Sequence, residues 1–280
     1  MRFGVQIRAT AETADPRELG RALEAAGFDA IYLPEHTHIP LAVRSLYPDD
    51  PSWLDACKQM VDPFVALATV AAVTERLLLG TGVCLLPQHD PIVLAKTVAT
   101  LDMLSNGRVL LGIGAGWNEP EMVNHGVDPR RRWAIMREKA LAMKMIWTEE
   151  VAEFHGQFVD FDPLWLWPKP HQKPHPPIAI GGEGSRVLER VLDYGDEWLP
   201  NEHEGVEARM AKLKQRAAEQ GRDPIPVTIY ATPHDPAAIE RLTAAGAHRL
   251  VFNLPRTAQG GQMAGIHELA ALIRPYISAR

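Results

Sequence analysis

Cysteine is nearly absent from this chain, with only Cys57 and Cys84 among 280 residues. A disulfide framework is therefore not expected, and a reducing, cytoplasmic setting is. Long apolar runs are missing as well. None approaches the roughly 20 residues that span a bilayer, and the longest is broken by glycine. The start, MRFGVQIRAT, leads directly into a strand and carries no signal-peptide h-region. Positive charge is in deficit: 29 Lys and Arg against 35 Asp and Glu leave a net charge of −6. With no basic stripe and no aromatic-basic run, the chain is not expected to act on nucleic acid or at a membrane surface.

Hydrophobic residues make up 46% of the chain, ordinary globular usage, and the length suits one α/β barrel. The most informative stretch is Leu77–Trp117. Leu77–Leu79 reads as a strand buried on both faces, followed by Gly80, Thr81 and Gly82. Asp90-Pro91 has the chemistry of a helix start, and Leu94, Val98 and Leu101 repeat at helical spacing. Ser105-Asn106-Gly107 ends that helix, and Val109–Leu111 is the next strand, running into Gly112-Ile113-Gly114-Ala115-Gly116. This is a βαβ unit whose two strands both finish in glycine.

The same alternation extends along the chain. Strands are predicted at Phe3–Ile7, Asp29–Leu33, Leu77–Leu79, Val109–Leu111, Pro177–Ile180, Glu197–Leu199, Val227–Ala231 and Arg249–Asn253, each followed by a helix. The helix from about Arg130 to Trp147 places Trp133, Met136, Ala140, Met143 and Trp147 on one core-facing side. Two excursions interrupt the pattern, at 39–62 after the second strand and at 149–176 after the fourth helix. Eight βα repeats close most simply as a (β/α)8 TIM barrel, with a doubly wound open sheet as the alternative.

In a barrel the active site lies at the C-terminal strand ends, which here carry much glycine and few nucleophiles. That suits a mouth holding a flat ligand against backbone. Gly181-Gly182-Glu183-Gly184-Ser185 passes from strand to helix, where free N–H groups favour a phosphate; Glu183 must then turn away from the anion. A tight turn with no ligand is the plainer reading. His36, beside Glu35, is placed for proton chemistry or cofactor contact. His36-x-His38 as a metal pair lacks a third ligand, so no metal is expected and a metal-dependent hydrolase is the weaker reading. Gly112-x-Gly114-x-Gly116 has the wrong spacing and position for a dinucleotide fingerprint. Trp53, Trp165 and Trp167 could roof a pocket or serve packing or dimer contacts.

LGTGV, LAKTVATLD-LS-GR and LG-GAGWNE, together with GFDAIYLPEH, PKPHQKPHPPIAIGG, GDEWLP and AGAHRLVFNLP, resemble the luciferase-like flavin and deazaflavin oxidoreductases over nearly the whole chain. The likeness is greatest to the branch that uses coenzyme F420. It implies a single luciferase-like (β/α)8 domain over residues 1–280, a homodimer, and an isoalloxazine-type ring in the barrel mouth. It also implies hydride transfer between F420 and a small organic substrate; the same-fold alternative is an FMNH2-dependent monooxygenase with FMN in that place. Carried over residue by residue, it puts Glu35 and His36 near the ring and a non-proline cis peptide at Gly82-Val83. Trp117 and Asn118 fall beside the cofactor, and Gly181, Gly182, Glu183, Gly184 and Ser185 at its phosphate. Some deazaflavin dehydrogenases of this superfamily have an acid where this chain has Trp117, which leaves His36 as the expected proton donor.

Overall fold

Every residue of Ala30–Leu33 is buried, and Leu79–Thr81 is buried likewise, so these strands need cover on both faces. The computed structural model describes residues 1–41, 51–254 and 259–277, with side chains described for all of these except 51–53, 259 and 260. Trp53 lies outside the described side chains. In chain order the elements begin with β1 (Arg2–Gln6), α1 (Pro16–Ala25), β2 (Ala30–Leu33), α2 (Pro51–Cys57), α3 (Pro63–Ala71), β3 (Leu78–Thr81), α4 (Pro91–Leu104) and β4 (Val109–Ile113). They continue with α5 (Glu119–Asn124), α6 (Arg132–Thr148), β5 (Ala152–His155), β6 (Asp160–Leu164), β7 (Ile178–Gly181), α7 (Val187–Tyr194) and β8 (Glu197–Leu199). The last are α8 (Val206–Glu219), β9 (Thr228–Ile229), α9 (Pro236–Ala244), β10 (Arg249–Asn253) and α10 (Gln259–Ile273).

Eight parallel strands follow the order β8-β7-β4-β3-β2-β1-β10-β9. Parallel bridges Trp198↔Val227 and Asn201↔Tyr230 join the two ends, so the expected barrel forms and the open sheet does not. Among the described residues, four helices begin with the same dipeptide. Asp15, Asp62, Asp90 and Asp235 each accept a backbone N–H of the first turn while the proline that follows gives up none.

The barrel interior is not wholly apolar. Arg249, almost fully buried, bonds Asp29 through Nε at 3.0 Å and the Tyr32 hydroxyl through Nη1 at 3.0 Å. Burial pushes the Glu197 carboxyl up, against the pull of Arg249, while the Thr228 hydroxyl donates to it. Tyr32 fills the centre because Gly80 does not: a Cβ there would stand 2.2 Å from the ring.

Four segments differ from the expected pattern. The first excursion contains α2. The loop after Trp117 folds into α5, started by Asn118. The closing helix begins at Gln259 and not Ile266. The second excursion forms the antiparallel β5–β6 hairpin. Its turn is held by Glu138 on α6, which accepts the N–H groups of Gln157, Phe158 and Val159 at 2.6–3.0 Å. Trp165 and Trp167 are 76% and 58% exposed at the base of this excursion, where Lys169 bonds carbonyls at the C-terminal end of α6. They stand away from the mouth and do not roof it. Phe158 instead reaches the rim, against Met122, Val127 and Ile135.

Candidate active site at the barrel mouth

β3 ends in a bulge at which Gly82-Val83 is cis, as the resemblance implied. Its backbone is pinned on all sides. Gly82 N–H donates to Leu33 O at 2.8 Å, Gln6 Nε2 donates to Gly82 O at 2.8 Å, and Cys84 N–H donates to Gly112 O at 2.7 Å. The glycines around it have a steric purpose. A Cβ on Gly114 would meet Val83 Cγ2 at 2.5 Å, and one on Gly181 would meet Val83 Cγ1 at 2.9 Å. A Cβ on Gly82 would meet the Tyr230 hydroxyl at 2.4 Å. Gly114, in the GxGxG run that ends β4, is thus packing space for the bulge.

Glu35 and His36 follow β2, and consecutive side chains leave an extended backbone in opposite directions. Glu35, buried, turns toward β3. Its Oε2 accepts Leu85 N–H at 2.6 Å and its Oε1 pairs with His89 Nε2 at 2.8 Å. Burial opposes its charge, but the bonds from His89 and Leu85 prevail and hold the carboxyl below its usual range. Glu35, Cys84 and His89 have ligand-type atoms within 4.8 Å of one another. Both Glu35 oxygens are nevertheless committed to that loop, so the cluster serves as an anchor for it.

His36 turns the other way and meets an acid that sequence spacing does not show. Its Nδ1 lies 2.7 Å from Glu121 Oε2, with side chains 6% and 0% exposed. Glu121 Oε1 accepts Thr37 N–H at 3.1 Å. Burial disfavours a charged His36, yet the neighbouring Cys57, the bond to Glu121 and the charge of Glu121 more than offset it, raising its pKa to about 9. The ring stands edge-on to Trp117 at 5.4 Å between centroids. The expected acid partner was Glu35; the observed one is Glu121, carried by α5. The only advance signal was the Asn-x-x-Glu start after Trp117.

His38 bonds Thr37 Oγ1 at 2.8 Å and Asn124 Nδ2 at 2.9 Å, so it does not converge with His36 on a metal. Nearby His125 is held below its ordinary value by burial and by His38.

Asn118 Oδ1 accepts Glu121 N–H at 3.4 Å, while its buried Nδ2 has no partner. Both amide atoms of Gln88 are buried and unpartnered, as is the Tyr230 hydroxyl. Gln88 Nε2 lies 3.9 Å from the position of a Cβ on Gly116. Unsatisfied donors and acceptors of this kind suit the imide edge of a flavin-type ring, which offers both in alternation.

The loop after β7 supplies the other end. Gly182 has φ +110°, and a Cβ on Gly182 or Gly184 would meet nothing within 4 Å, so open space lies above the backbone. Glu183 bends to Asn201, accepting its backbone N–H at 2.7 Å and its Nδ2 at 2.9 Å. Arg209 binds the carbonyls of Glu183 and Gly184. Arg186 and Ser185 are exposed, and no side chain caps α7. These free N–H groups and the helix dipole suit a phosphate. A cleft of about 820 Å3 beside Gly27, Asp29 and Arg274 opens at the opposite end of the strands, away from these groups.

Known proteins share this arrangement of elements. An uncharacterized protein of Mycobacterium tuberculosis is 37% identical over 278 residues, covering 97% of this chain and 98% of that one. The crystal structure of monooxygenase RslO1 from Streptomyces bottropensis superposes with a TM-score of 0.81 at 19% identity, over 99% of this chain and 100% of that one. An F420-dependent secondary alcohol dehydrogenase, solved with an F420-acetone adduct, superposes with a TM-score of 0.75 at 19% identity, over 99% and 100%. Residues 1–272 match the model of the luciferase-like monooxygenases, and with the barrel, the bulge and the glycine-lined mouth in place, the chain belongs to that family.

Proposed function

We propose that this protein is a deazaflavin-dependent oxidoreductase that transfers hydride between coenzyme F420 and a small organic substrate at the barrel mouth. The observation that carries this reading is the buried His36–Glu121 pair, an acid placed beside the glycine-lined mouth. When bound, the deazaflavin supplies or accepts hydride at its C5 carbon. The chain provides the rest. The Gly82-Val83 bulge gives the ring a backing, Asn118 and Gln88 offer hydrogen bonds to its imide edge, and the Gly181–Ser185 loop receives its phosphate. His36, charged below about pH 9, donates a proton to a substrate oxygen as hydride arrives, or accepts one in the reverse direction. Glu121 stabilises the imidazolium and fixes which ring nitrogen faces away from the mouth.

The test is titration of the purified protein with F420 and with FMN, oxidised and reduced, followed by cofactor fluorescence. Tight F420 binding is expected, weakened at least tenfold by Gly182→Val. A valine side chain is strained at φ +110° and would intrude on the space above the loop. Selective FMN binding would overturn this reading in favour of the reduced-FMN monooxygenase; RslO1, on the same fold, is a monooxygenase. Oxygen consumption with substrate is the accompanying measurement, because a deazaflavin lacks the N5 atom and does not readily activate oxygen. Assembly as a homodimer belongs to the same proposal and is checked by light scattering.

A further inference from the structure

Lys139, on α6, is a half-buried cation that the chemistry at the mouth leaves unused. Its Nζ donates to two carbonyls, Pro87 O at 2.7 Å and His89 O at 2.6 Å. Asp90 attracts it only from a distance, because that carboxylate is turned to the N–H groups of Ile92 and Val93. Burial pushes the ammonium below the usual lysine range, so the charge is kept here at a cost. The two carbonyls belong to the residues on either side of Gln88. The turn's own bonds run from Gln88 N–H to Leu85 O at 2.9 Å and from His89 N–H to Leu86 O at 3.2 Å. They leave both carbonyls to Lys139.

We infer that Lys139 is a positioning residue of this site, gripping the backbone on both sides of Gln88 and so aiming the Gln88 amide at the imide edge of the bound ring. This rests on the reading that Gln88 meets that edge. Both amide atoms of Gln88 are buried without a hydrogen-bond partner, so no such bond within the protein orients them. An amide in that state is aimed by its own backbone alone. Any shift of the turn moves it directly, and Lys139 is what opposes the shift.

The grip is firm at its other end. α6 buries Ile135, Met136, Ala140 and Met143 around Lys139, and Trp147 Nε1 donates to Ala95 O at 3.0 Å, tying the helix to α4. From the inner side, Glu35 holds the same segment through Leu85 N–H and the His89 ring. The turn that carries Gln88 is thus clamped between a carboxylate and an ammonium. A contact group needs support of this kind to stay within about 0.5 Å of its productive position.

The experiment is a double-mutant cycle on binding of F420 and of FMN, whose rings share the imide edge, read by fluorescence titration. Gln88→Ala should weaken binding about tenfold, the loss of one well-placed hydrogen bond. Lys139→Met keeps the length of the stem but donates nothing, and should weaken binding by about as much. In the Gln88→Ala background the same change should cost less than about twofold. Its cost in urea unfolding should be the same in both backgrounds, which separates aim from stability. Lys139→Arg, which still donates to both carbonyls, should keep most of the affinity. Effects on Kd that multiply, or a Lys139→Met protein that binds as the wild type does, overturn the inference. If Lys139→Met does not fold, Lys139→Gln takes its place in the cycle and decides in the same way. Failure of the F420 reading would appear separately, as selective binding of FMN with the coupling intact.

Discussion

Gly114→Ala adds a single methyl group at the most crowded point of the mouth. Its Cβ would stand 2.5 Å from Val83 Cγ2 and 3.5 Å from Val83 Cβ. Val83 has no easy way to yield. Its side chain is β-branched and stiff at χ1, and its other methyl already lies against Gly181, where a Cβ would come within 2.9 Å. Overpacking of this kind costs about 1–3 kcal/mol. Val83→Ala removes both methyls and with them the clash, at a cost of its own of about 1 kcal/mol. The double variant should therefore be more stable than the sum of the single changes by about 1–3 kcal/mol. Urea unfolding of the four proteins measures this coupling, and fluorescence titration shows whether ring binding follows the same pattern. Strictly additive costs would refute the steric account of Gly114.

Two further predictions concern charge. With a folded pKa of about 9 against 6.5 unfolded, His36 contributes stability that is fully present below pH 6.5 and is lost as pH rises through 9, amounting to about 3 kcal/mol. In Glu121→Gln that alkaline decline should shrink by half or more in unfolding curves taken from pH 6 to 10; a slope equal to the wild type would contradict the pairing. In the barrel interior, Asp29→Asn leaves Arg249 buried without its closest carboxylate and should cost about 3 kcal/mol. Adding Arg249→Met should recover most of that loss in thermal melts, and no recovery would show that the pair is not the source of the cost.

Local chemistry made much of the barrel readable before any coordinates. The strands are short apolar runs closed by glycine, and Asp90-Pro91 marked α4 because its capping requirements are met within four residues. The Gly82-Val83 bulge was legible only through resemblance, since nothing in a Gly-Val pair fixes the isomer of its peptide bond. The carboxylate partner of His36 was not legible at all. Glu121 is 85 residues away, and adjacency favoured Glu35. Alternation along the extended chain, which sends neighbours to opposite sides, decided against that partner. The β5–β6 hairpin escaped notice because its prolines and exposed aromatics resemble irregular chain; Glu138, on another element, organises its turn.

The ring of strands is unevenly stitched. Around most of the circumference, neighbours share continuous registers of two to five residue pairs, whereas β8 and β9 are joined through the isolated bridges Trp198↔Val227 and Asn201↔Tyr230. Tyr230, against the Gly82 bulge, and Asn201, which holds Glu183 of the Gly181–Ser185 loop, both sit on that joint. Thermal breathing concentrates where the ladder is interrupted, so its amides should exchange with solvent ahead of those in β1 and β10. A cofactor that touches both the bulge and the Gly181–Ser185 loop would bridge the joint from above, acting as the missing rungs. Loading the protein should then tighten this arc of the barrel more than any other, giving the molecule a hinge line that its own occupant closes.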